Sequence, residues 1–415
     1  MINIESELFW AILRVLIVVG FVLISVPPII WWERRLLGWM QDRIGPNRVG
    51  PFGFLQPIAD GVKLLFKEDF TPRDVDRLMY FLSPAIALLP AFVIGATIPW
   101  SPNPRLTPIA DVDVGVLWVL AVSSLGVYGI VLGGWASNNK YSLLGGLRSA
   151  AQLVSYELPM GVALYSVLLP SGTLRLTEVV SKQHEALWGR FEWFQNWFIL
   201  TPFGLISAAI FLICMVAETN RAPFDLPEAE SELIAGYHTE YSSMKFAVFF
   251  MGEYAAMVAF SGLFAVLYLG GWSLAPFNWE HLAAVSRDAG LGWLGGVLTF
   301  INGPWMAPVW FVGKIFGGLT FYIWLRATLP RLRYDQLMNF CWKYLLPAAA
   351  ANFVLVAIGM LYGWLVYAFF LAILLVMYLI FVVVYYLPRA KKPTIELMKI
   401  PANTSRVIEI ERSRQ

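Results

Sequence analysis

Nine long hydrophobic stretches dominate the pattern of polar and apolar positions along the chain. Each has roughly the 20 residues that an α-helix needs to cross about 30 Å of hydrocarbon. Lipid offers no partner to unpaired backbone groups, so each stretch is expected to form a helix. The predicted spans cover residues 8–32, 79–100, 114–134, 150–170, 198–217, 244–270, 304–325, 344–362 and 364–387.

The composition agrees with a chain that is covered by lipid. Hydrophobic residues make up 58% of the chain and charged residues only 14%, whereas soluble domains carry about 25% charged residues. The 18 Trp, 17 Tyr and 29 Phe residues fit aromatic belts at two membrane interfaces. The sequence therefore predicts an all-α polytopic membrane protein, with one membrane domain at residues 1–387 and a basic cytoplasmic tail at residues 388–415.

The distribution of positive residues predicts the orientation of the spans. Segments 33–77, 135–148, 218–245, 326–343 and 388–415 contain 23 of the 30 Lys and Arg residues, and the alternate segments contain 5. Cytoplasmic loops accumulate Lys and Arg, so the N-terminus is expected outside and the C-terminus inside. The first stretch lacks the basic start and the cleavage site of a signal peptide, so we expect it to be retained as a helix.

Residues 54–67 form a segment that is too short and too polar to span a membrane. Its apolar residues recur at helical spacing and lie opposite Asp60, Lys63 and Lys67, which predicts a helix lying in the cytoplasmic interface. A plain membrane-surface anchor would give the same pattern, and that alternative stays open. The apolar residues are Phe54, Leu55, Ile58, Val62, Leu65 and Phe66.

Charged residues also lie within or at the ends of several predicted spans. Glu157, Glu253 and Lys314 lie within spans, Glu218 closes the fifth span, and Arg14 is near the start of the first. A charge at the bilayer centre costs about 2.5–3.5 kcal/mol on insertion scales, so such groups usually face a protein interior or a wet cavity. Glu157 and Glu218 could instead reach the interface from helix ends, and Arg14 is expected to do so.

The segment at residues 217–241 is acidic although it lies where basic loops are expected. The helix dipole accounts for Asp225 and for the acids Glu228, Glu230 and Glu232 around the first turns of a helix that starts near Pro227. It does not account for the continuation of acids into Glu218, Glu240 and Glu253. Closely spaced carboxylates can exchange protons near neutral pH, because each resists ionisation of its neighbours. The pattern indicates a proton relay or a coupling device.

No pattern in the chain points to a redox centre or metal of its own. Cys214 and Cys341 are far apart, and the three histidines are scattered, so the sequence has neither zinc nor cluster spacing. Residues 290–295 match G-x-G-x-x-G, but they follow no predicted strand and are not expected to bind a dinucleotide. The net charge of +2 gives no reason to expect nucleic acid. Any redox centre is expected on another chain.

Three ordered motifs resemble the signatures of the H-type membrane subunit (subunit 1 in mitochondria) of respiratory complex I. The first comprises ERR at residues 33–35, GPNRVGP at 45–51 and LQPIADGVKL at 55–64. The second is the acidic segment 217–241, and the third is RATLPRLRYDQLM at 326–338. The resemblance covers about residues 8–362. The last hydrophobic stretch, the basic tail and an enlarged loop near 184–197 exceed the common eight-helix form.

The resemblance implies a function as well as a fold. In this family the subunit joins the membrane arm to the peripheral arm, lines the quinone chamber of a proton-translocating NADH:quinone oxidoreductase, and links quinone reduction to proton pumping. The subunit is part of a translocase and is not catalytic alone. Quinone (ubiquinone or menaquinone) would be the substrate. Flavin, the NADH site and iron–sulfur clusters would belong to partner subunits, and the location would be the bacterial inner membrane.

The resemblance also implies roles for individual residues. The family's partners of this subunit are the quinone-site and terminal-cluster subunits, the small membrane subunits, and lipid. The implied acidic funnel consists of Glu157, Glu218, Glu228, Glu230, Glu232, Glu240 and Glu253, with Arg221 and Asp225 beside it. The implied quinone-channel or docking residues are Arg34, Arg35, Phe54, Ile58, Asp60, Val62, Arg326, Arg331, Arg333 and Asp335.

Two other functions remain open on the sequence. A related membrane subunit of an energy-converting hydrogenase or ferredoxin-linked complex would keep the coupling acids without requiring quinone. A proton-coupled secondary transporter would explain acids within spans, but such transporters usually show internal repeats, and we find none in this sequence. Gentle solubilisation separates these hypotheses, because a transporter purifies alone whereas a complex I subunit purifies with clusters and flavin.

Overall fold

Helices make up nearly all of the regular structure in this computed structural model. The structure describes residues 4–103, 108–187, 189, 191–225 and 236–386. For residues 4–7 and 378–386 it describes the backbone alone. The first half contains helices α1 (Ile4–Met40), α2 (Gln56–Phe66), α3 (Arg77–Thr97), α4 (Gly115–Ala136), α5 (Lys140–Ser171) and α6 (Leu176–Gln183) and strands β1 (Ala186–Leu187) and β2 (Phe191–Gln195). The second half contains α7 (Pro202–Glu218), α8 (Ser243–Tyr268), α9 (Trp279–Asp288), α10 (Gly292–Ile301), α11 (Ala307–Thr328), α12 (Tyr334–Phe340), α13 (Leu346–Tyr362) and α14 (Trp364–Tyr386).

In the described part of the chain, seven stretches of helix are long and apolar enough to cross a membrane, which confirms an all-α polytopic architecture. They are Leu8–Met40, Arg77–Thr97, Gly115–Ala136, Lys140–Ser171, Ser243–Tyr268, Ala307–Thr328 and Tyr334–Tyr362. Helices α7 and α14 occupy the fifth and ninth predicted spans, but α7 has only 17 residues and the apolar part described for α14 ends at Met377. The number of nine spans and their orientation stay predictions.

Two helices extend far beyond their predicted limits. Helix α1 continues to Met40 and therefore carries Glu33, Arg34 and Arg35 on helical positions. Helix α5 begins at Lys140, where the side chain of Asn139 caps it by accepting a hydrogen bond from the backbone N–H of Tyr141. Both helices thus reach beyond the hydrophobic stretch that identified them, because polar residues continue the helix past the apolar ones.

The core of the first compact unit, residues 1–357, is formed by α3, α4, α5, α7 and α8. Helices α3 and α4 approach closely at Gly129, where a Cβ atom would lie 2.6 Å from the backbone nitrogen of Ala87. The rings of Tyr80 and Tyr241 stack with centroids 4.3 Å apart, and Phe249 packs against Tyr241. Helices α1 and α11 pack against α8, which therefore lies at the centre.

Two segments that lie between predicted spans, residues 171–197 and 271–303, contain regular structure. Strands β1 and β2 form an antiparallel hairpin, and Phe194 of β2 also pairs with Phe277. Helices α9 and α10 pack against each other, and the G-x-G-x-x-G residues 290–295 lie where α9 gives way to α10. The hairpin was not predicted, since strand β2 (FEWFQ) is short and aromatic residues are common in both strands and interfacial segments.

The chain after residue 357 forms a second compact unit. It contains the end of α13 and helix α14, which are separated at Gly363 with a φ of 100°. A positive φ favours glycine and ends the first of the two helices there. A turn of π-helix at Cys341–Leu345 joins α12 to α13 within the first unit. The predicted basic tail, residues 388–415, lies outside the described residues.

Candidate functional site

A cavity of about 70 Å³ lies between α3, α4, α5, α7 and α8. Glu218 and Glu253 both line it, together with Ser123 and Tyr237. A water molecule needs roughly 10–15 Å³ of such volume and several polar partners. The cavity therefore has room for several water molecules, and two carboxylates from different helices border it.

Glu218 is the last residue of α7 and borders the cavity with Thr219 and Asn220. Its Oε2 atom is buried and has no hydrogen-bond partner among the described residues. A buried polar atom without a partner is costly, and water in the adjacent cavity would provide that partner. Glu218 also interacts electrostatically with Glu157.

Glu253 and Glu157 reach the same region from two other helices. The hydroxyl of Tyr237 donates a hydrogen bond to Oε1 of Glu253 at 3.3 Å. The hydroxyl of Ser124 donates to Oε1 of Glu157 at 2.8 Å, and the neighbouring Ser123 lines the cavity. Acids from α5, α7 and α8 thus lie in one region of the molecule.

The remaining predicted acids are not part of this group among the described residues. Glu240 accepts a hydrogen bond from Nδ2 of Asn139 at 2.6 Å, and its backbone carbonyl accepts one from the hydroxyl of Tyr80 at 2.7 Å. Glu240 is absent from the described cavity lining. Glu228, Glu230 and Glu232 lie outside the described residues.

A second ionic group surrounds Glu33, which is only 4% exposed. Arg326 of α11 donates a hydrogen bond to Oε1 of Glu33, and Nη1 of Arg221 lies 3.5 Å from the same oxygen. The hydroxyl of Tyr254 on α8 donates to Oε2 at 2.5 Å. We call Glu33, Arg221, Tyr254 and Arg326 the Glu33 cluster.

Arg221 is the most deeply buried cation of the Glu33 cluster. Its guanidinium carbon lies 4.2 Å from the centre of the Tyr254 ring, and its Nε and Nη2 atoms are buried with no hydrogen-bond partner in the described part of the chain. Burial disfavours the charged form, but Tyr254, Glu33 and Glu253 outweigh it, so the pKa of Arg221 is raised. Arg221 therefore remains positive.

Helix α8 connects the cavity with the Glu33 cluster through two consecutive residues. Glu253 borders the cavity and Tyr254 donates to Glu33. Neighbouring positions of an α-helix point about 100° apart, so the two side chains are directed to different sites from one short piece of backbone. A displacement of α8 would change both sites together.

Asp225 and Arg331 form a separate ion pair, with Nη2 and Oδ2 2.9 Å apart. The backbone N–H of Leu332 also donates to the carbonyl of Pro223 at 3.2 Å, so this pair fastens the end of α7 to the connection between α11 and α12. The fold thus brings together Arg331 and Asp225, which are far apart in the sequence. Asp335 and Arg333 lie exposed at the start of α12.

Residues 56–66 form a helix as predicted, and it is fastened to α1 and α8. Arg34 donates to Asp60 at 2.6 Å, and the hydroxyl of Ser243 donates to the carbonyl of Leu64 at 2.8 Å. Burial would raise the pKa of Asp60, but hydrogen bonds from Arg34 and Gln56 outweigh it and lower that pKa. The carboxylate therefore stays ionised at neutral pH.

The apolar side chains of α2 are left uncovered in the isolated chain. Ile58 is 52% exposed and Val62 is 46% exposed. Phe54 packs against Trp31 of α1 with centroids 5.5 Å apart. Arg35 lies over Trp31 and also over the rings of Trp39 and Phe52, so α1 and α2 together present an aromatic and aliphatic surface.

Sequence reasoning missed Glu33 and Tyr254 as site residues. Glu33 was part of a motif but lay just past the predicted end of the first span, and nothing local shows that Arg221 and Arg326 meet it. Tyr254 follows Glu253 directly, and this adjacency was the available signal. Within the described ranges, no three His, Cys, Asp or Glu side chains are grouped to hold a metal ion.

Comparison with known proteins assigns the chain to a family. The model of the NADH dehydrogenase family matches residues 13–357. The chain is 45% identical over 372 residues to an H-type subunit of NADH-quinone oxidoreductase from Koribacter versatilis, covering 86% of this chain and 98% of that protein. It belongs to the H-type subunit family of NADH-quinone oxidoreductase.

Other relatives from this family agree over nearly their whole length. NADH-quinone oxidoreductase subunit 8 of Rhodothermus marinus is 46% identical over 355 residues, which are 86% of this chain and 98% of the relative. The H-type subunit of Thermomicrobium roseum is 46% identical over 366 residues, or 85% and 98%. The family assignment confirms the resemblance carried by the three motifs, and it covers both the cavity and the Glu33 cluster.

Proposed function

We propose that this chain is the quinone-channel and coupling subunit of a proton-translocating NADH:quinone oxidoreductase in a bacterial inner membrane. The observation that carries the proposal is the placement of Glu253 and Tyr254. One faces a cavity large enough for water, and the other binds a buried carboxylate between two arginines. Family membership supports the wider role in an NADH-quinone oxidoreductase.

Coupling would arise from a change of charge near the Glu33 cluster. Arg326 is partly exposed, with 44% of its side chain accessible, so this edge of the cluster can respond to a negatively charged quinone species or to a partner subunit. A weakened Arg326–Glu33 contact would loosen the bond from Tyr254 and move α8. Glu253 would then exchange protons with Glu218 and Glu157 through water in the cavity.

Quinone access is assigned to the side of the molecule where α2 meets α1. The half-exposed Ile58 and Val62 and the aromatic residues around Arg35 suit an isoprenoid tail, which is recognised by apolar surface. Flavin and iron–sulfur clusters would remain on partner subunits. The peripheral-arm subunits would dock against the same end of the molecule, where Arg34, Arg35 and Arg333 lie.

The coupling role is tested by neutralising the two cavity acids separately. Glu218→Gln and Glu253→Gln keep shape and hydrogen-bonding capacity but cannot be charged. We expect both variants to assemble, because a neutral amide is easier to bury than a carboxylate, and to lose NADH-driven quinone reduction and proton uptake together. The measurement uses membrane vesicles and is normalised to assembled complex.

The matched control is Glu178→Gln, which neutralises a glutamate that pairs with Arg175 on the surface. That variant should keep normal turnover and normal proton uptake. Normal turnover together with normal proton uptake in both Glu218→Gln and Glu253→Gln would remove the cavity acids from the mechanism. Retained quinone reduction with lost proton uptake would limit their role to the proton path.

The quinone role is tested by adding bulk to α2. Ile58→Trp and Val62→Trp place an indole where the side chains are already half-exposed, so folding should be unaffected. We expect activity with a long-tailed quinone to fall more than activity with a short soluble analogue. Lys63→Trp adds the same bulk to the polar face and serves as control. Equal losses with both quinones would leave α2 as a plain anchor.

A further inference from the structure

Lys314 of α11 is a charged residue within a spanning helix that the proposed function does not use. Its ammonium group donates hydrogen bonds to the carbonyl oxygens of Leu269 and of Gly271 at 2.9 Å. It also lies 4.2 Å from the centre of the Trp197 ring. Both carbonyls follow the last residue of α8, Tyr268, so Lys314 binds directly at the C-terminal end of that helix.

The backbone after α8 is shaped to receive this ammonium group. Gly270 and Gly271 have φ values of +67° and +56°, which favour glycine. A Cβ atom on Gly270 would lie 2.2 Å from Nε1 of Trp197. The two glycines therefore allow the indole and the lysine to approach the helix end, where the partial negative charge of the helix dipole favours a cation.

Two residues from α6 and its end complete the attachment. Gln183 donates from Nε2 to the carbonyl of Val266 at 2.7 Å and accepts from the N–H of Gly270 at 2.9 Å. Nε2 of His184 lies 3.1 Å from the carbonyl oxygen of Gly270. We call this arrangement of backbone carbonyls, Lys314, Gln183 and Trp197 the helix-end nest.

The partners of Lys314 in the helix-end nest do not titrate. The carbonyls of Leu269 and Gly271 accept hydrogen bonds from the ammonium group and the Trp197 ring lies beside it, and none of these three groups carries a net charge. An uncharged side chain of similar length, such as methionine, would enter the membrane at far lower cost. The retained charge therefore serves attachment rather than packing.

We propose that Lys314 is a positioning residue that fixes the C-terminal end of α8 and thereby the position of Glu253 at the cavity. The other end of α8 is held by Ser243, which donates to the carbonyl of Leu64, and by Lys245, which pairs with Asp69 at 2.8 Å. Glu253 lies between the two attachments, roughly 22 Å from the C-terminal one at 1.5 Å per residue. A rigid helix transmits an axial shift over that length.

This inference rests on the proposed function of Glu253, and its test separates the two. Lys314→Met removes the charge at similar length, and Lys314→Arg keeps a cation that can donate to carbonyls and stack on Trp197. Lys182→Met is the control, because Lys182 pairs with Glu185 on the surface. Turnover is measured per assembled complex, and the carboxyl band of Glu253 is identified in infrared difference spectra as the band that Glu253→Gln removes.

We expect Lys314→Met to lower turnover by about tenfold or more, because the loss of both hydrogen bonds from the ammonium group would displace the end of α8 and, with it, Glu253. The Glu253 band should shift in Lys314→Met, return towards its original position in Lys314→Arg, and stay unchanged in Lys182→Met. Should Lys314→Met fail to assemble, Gln183→Leu loosens the same helix end without removing a charge and should shift the same band.

An unshifted Glu253 band in both Lys314→Met and Gln183→Leu would overturn the positioning role. A shifted band with normal turnover in Glu253→Gln would overturn the proposed function instead, and the helix-end nest would stand as the attachment of α8.

Discussion

The Glu33 cluster and the helix-end nest both hold charge within the helix bundle, but they compensate it with different kinds of group. Glu33 meets two arginines and a tyrosine hydroxyl, whereas Lys314 meets two backbone carbonyls and an indole. The partners of Lys314 are fixed in number and charge. The partners of Glu33 are side chains that can be withdrawn, and one of them is partly exposed.

The two regions also differ in how completely their polar atoms are paired. In the Glu33 cluster, Nε and Nη2 of Arg221 are buried without a hydrogen-bond partner among the described residues. In the helix-end nest, the carbonyls of Leu269 and Gly271 both accept hydrogen bonds from Lys314. Incomplete pairing costs stability and leaves room for water or a ligand group. A charged residue within the helix bundle is therefore expected to change its contacts or protonation only where its partners are themselves mobile or ionisable.

The largest expected effect comes from Glu33→Gln. This change leaves Arg221 and Arg326 without their shared counter-charge, and breaking a buried ion pair typically costs about 3–5 kcal/mol. Because Arg326 is partly exposed, we expect the loss to come mainly from Arg221. The yield and the thermal midpoint of the assembled complex should both fall, and by more than in Lys314→Met. Equal or smaller losses in Glu33→Gln would remove the contrast between the two regions.

An intermediate effect is expected from filling the cavity with Ala256→Leu. Ala256 lines the cavity, and extra methyl groups in a packed interior typically cost about 1–3 kcal/mol. Displaced water should slow proton transfer, so turnover should fall several-fold while assembly is retained. Gly20→Leu adds comparable apolar bulk at a position where an added Cβ atom would meet no other side chain or helix within 4 Å. This variant should have nearly normal turnover. Unchanged turnover in Ala256→Leu would show that protons do not cross this cavity.

The smallest effect is expected at the ion pair of Arg34 and Asp60. Because the pKa of Asp60 is lowered from 3.8, the pair contributes fully above that value and is lost only as pH falls through the lower folded value. Its exposure limits the contribution to about 0.2–1 kcal/mol. Asp60→Asn should therefore lower the thermal midpoint slightly and equally from pH 6 to pH 8. A loss that changes over this range would point to another titrating group.

The sequence predicted elements more reliably than the contacts between them. Hydrophobic length identified the helices, and spacing identified α2, because both signals are local. The limits of α1 and α5 were missed, since polar residues continued each helix beyond its apolar part. Strands β1 and β2 were missed because β1 has only two residues and the aromatic residues of β2 are equally typical of an interfacial loop.

Some residues of the candidate site could likewise be identified from the sequence, and others could not. Glu218 and Glu253 could be singled out because a carboxylate in an apolar stretch is conspicuous. The partners of Glu33 could not, since Arg221 and Arg326 are far from it in sequence and meet it only where α1, α11 and the segment after α7 come together. Lys314 was equally conspicuous, but its carbonyl partners carry no side-chain signal that a sequence pattern could show.

Because Glu253 and Tyr254 are adjacent, a rotation of α8 about its own axis would move both side chains. Their polar atoms lie on the order of 6 Å from the helix axis, so a turn of about 10° would carry each of them roughly 1 Å along its arc. The hydroxyl of Tyr254 is 2.5 Å from Oε2 of Glu33. A movement of this size away from Glu33 would break that hydrogen bond. The two side chains point about 100° apart. One small rotation of α8 would therefore move the hydroxyl of Tyr254 away from Glu33 and move the carboxylate of Glu253 across the cavity.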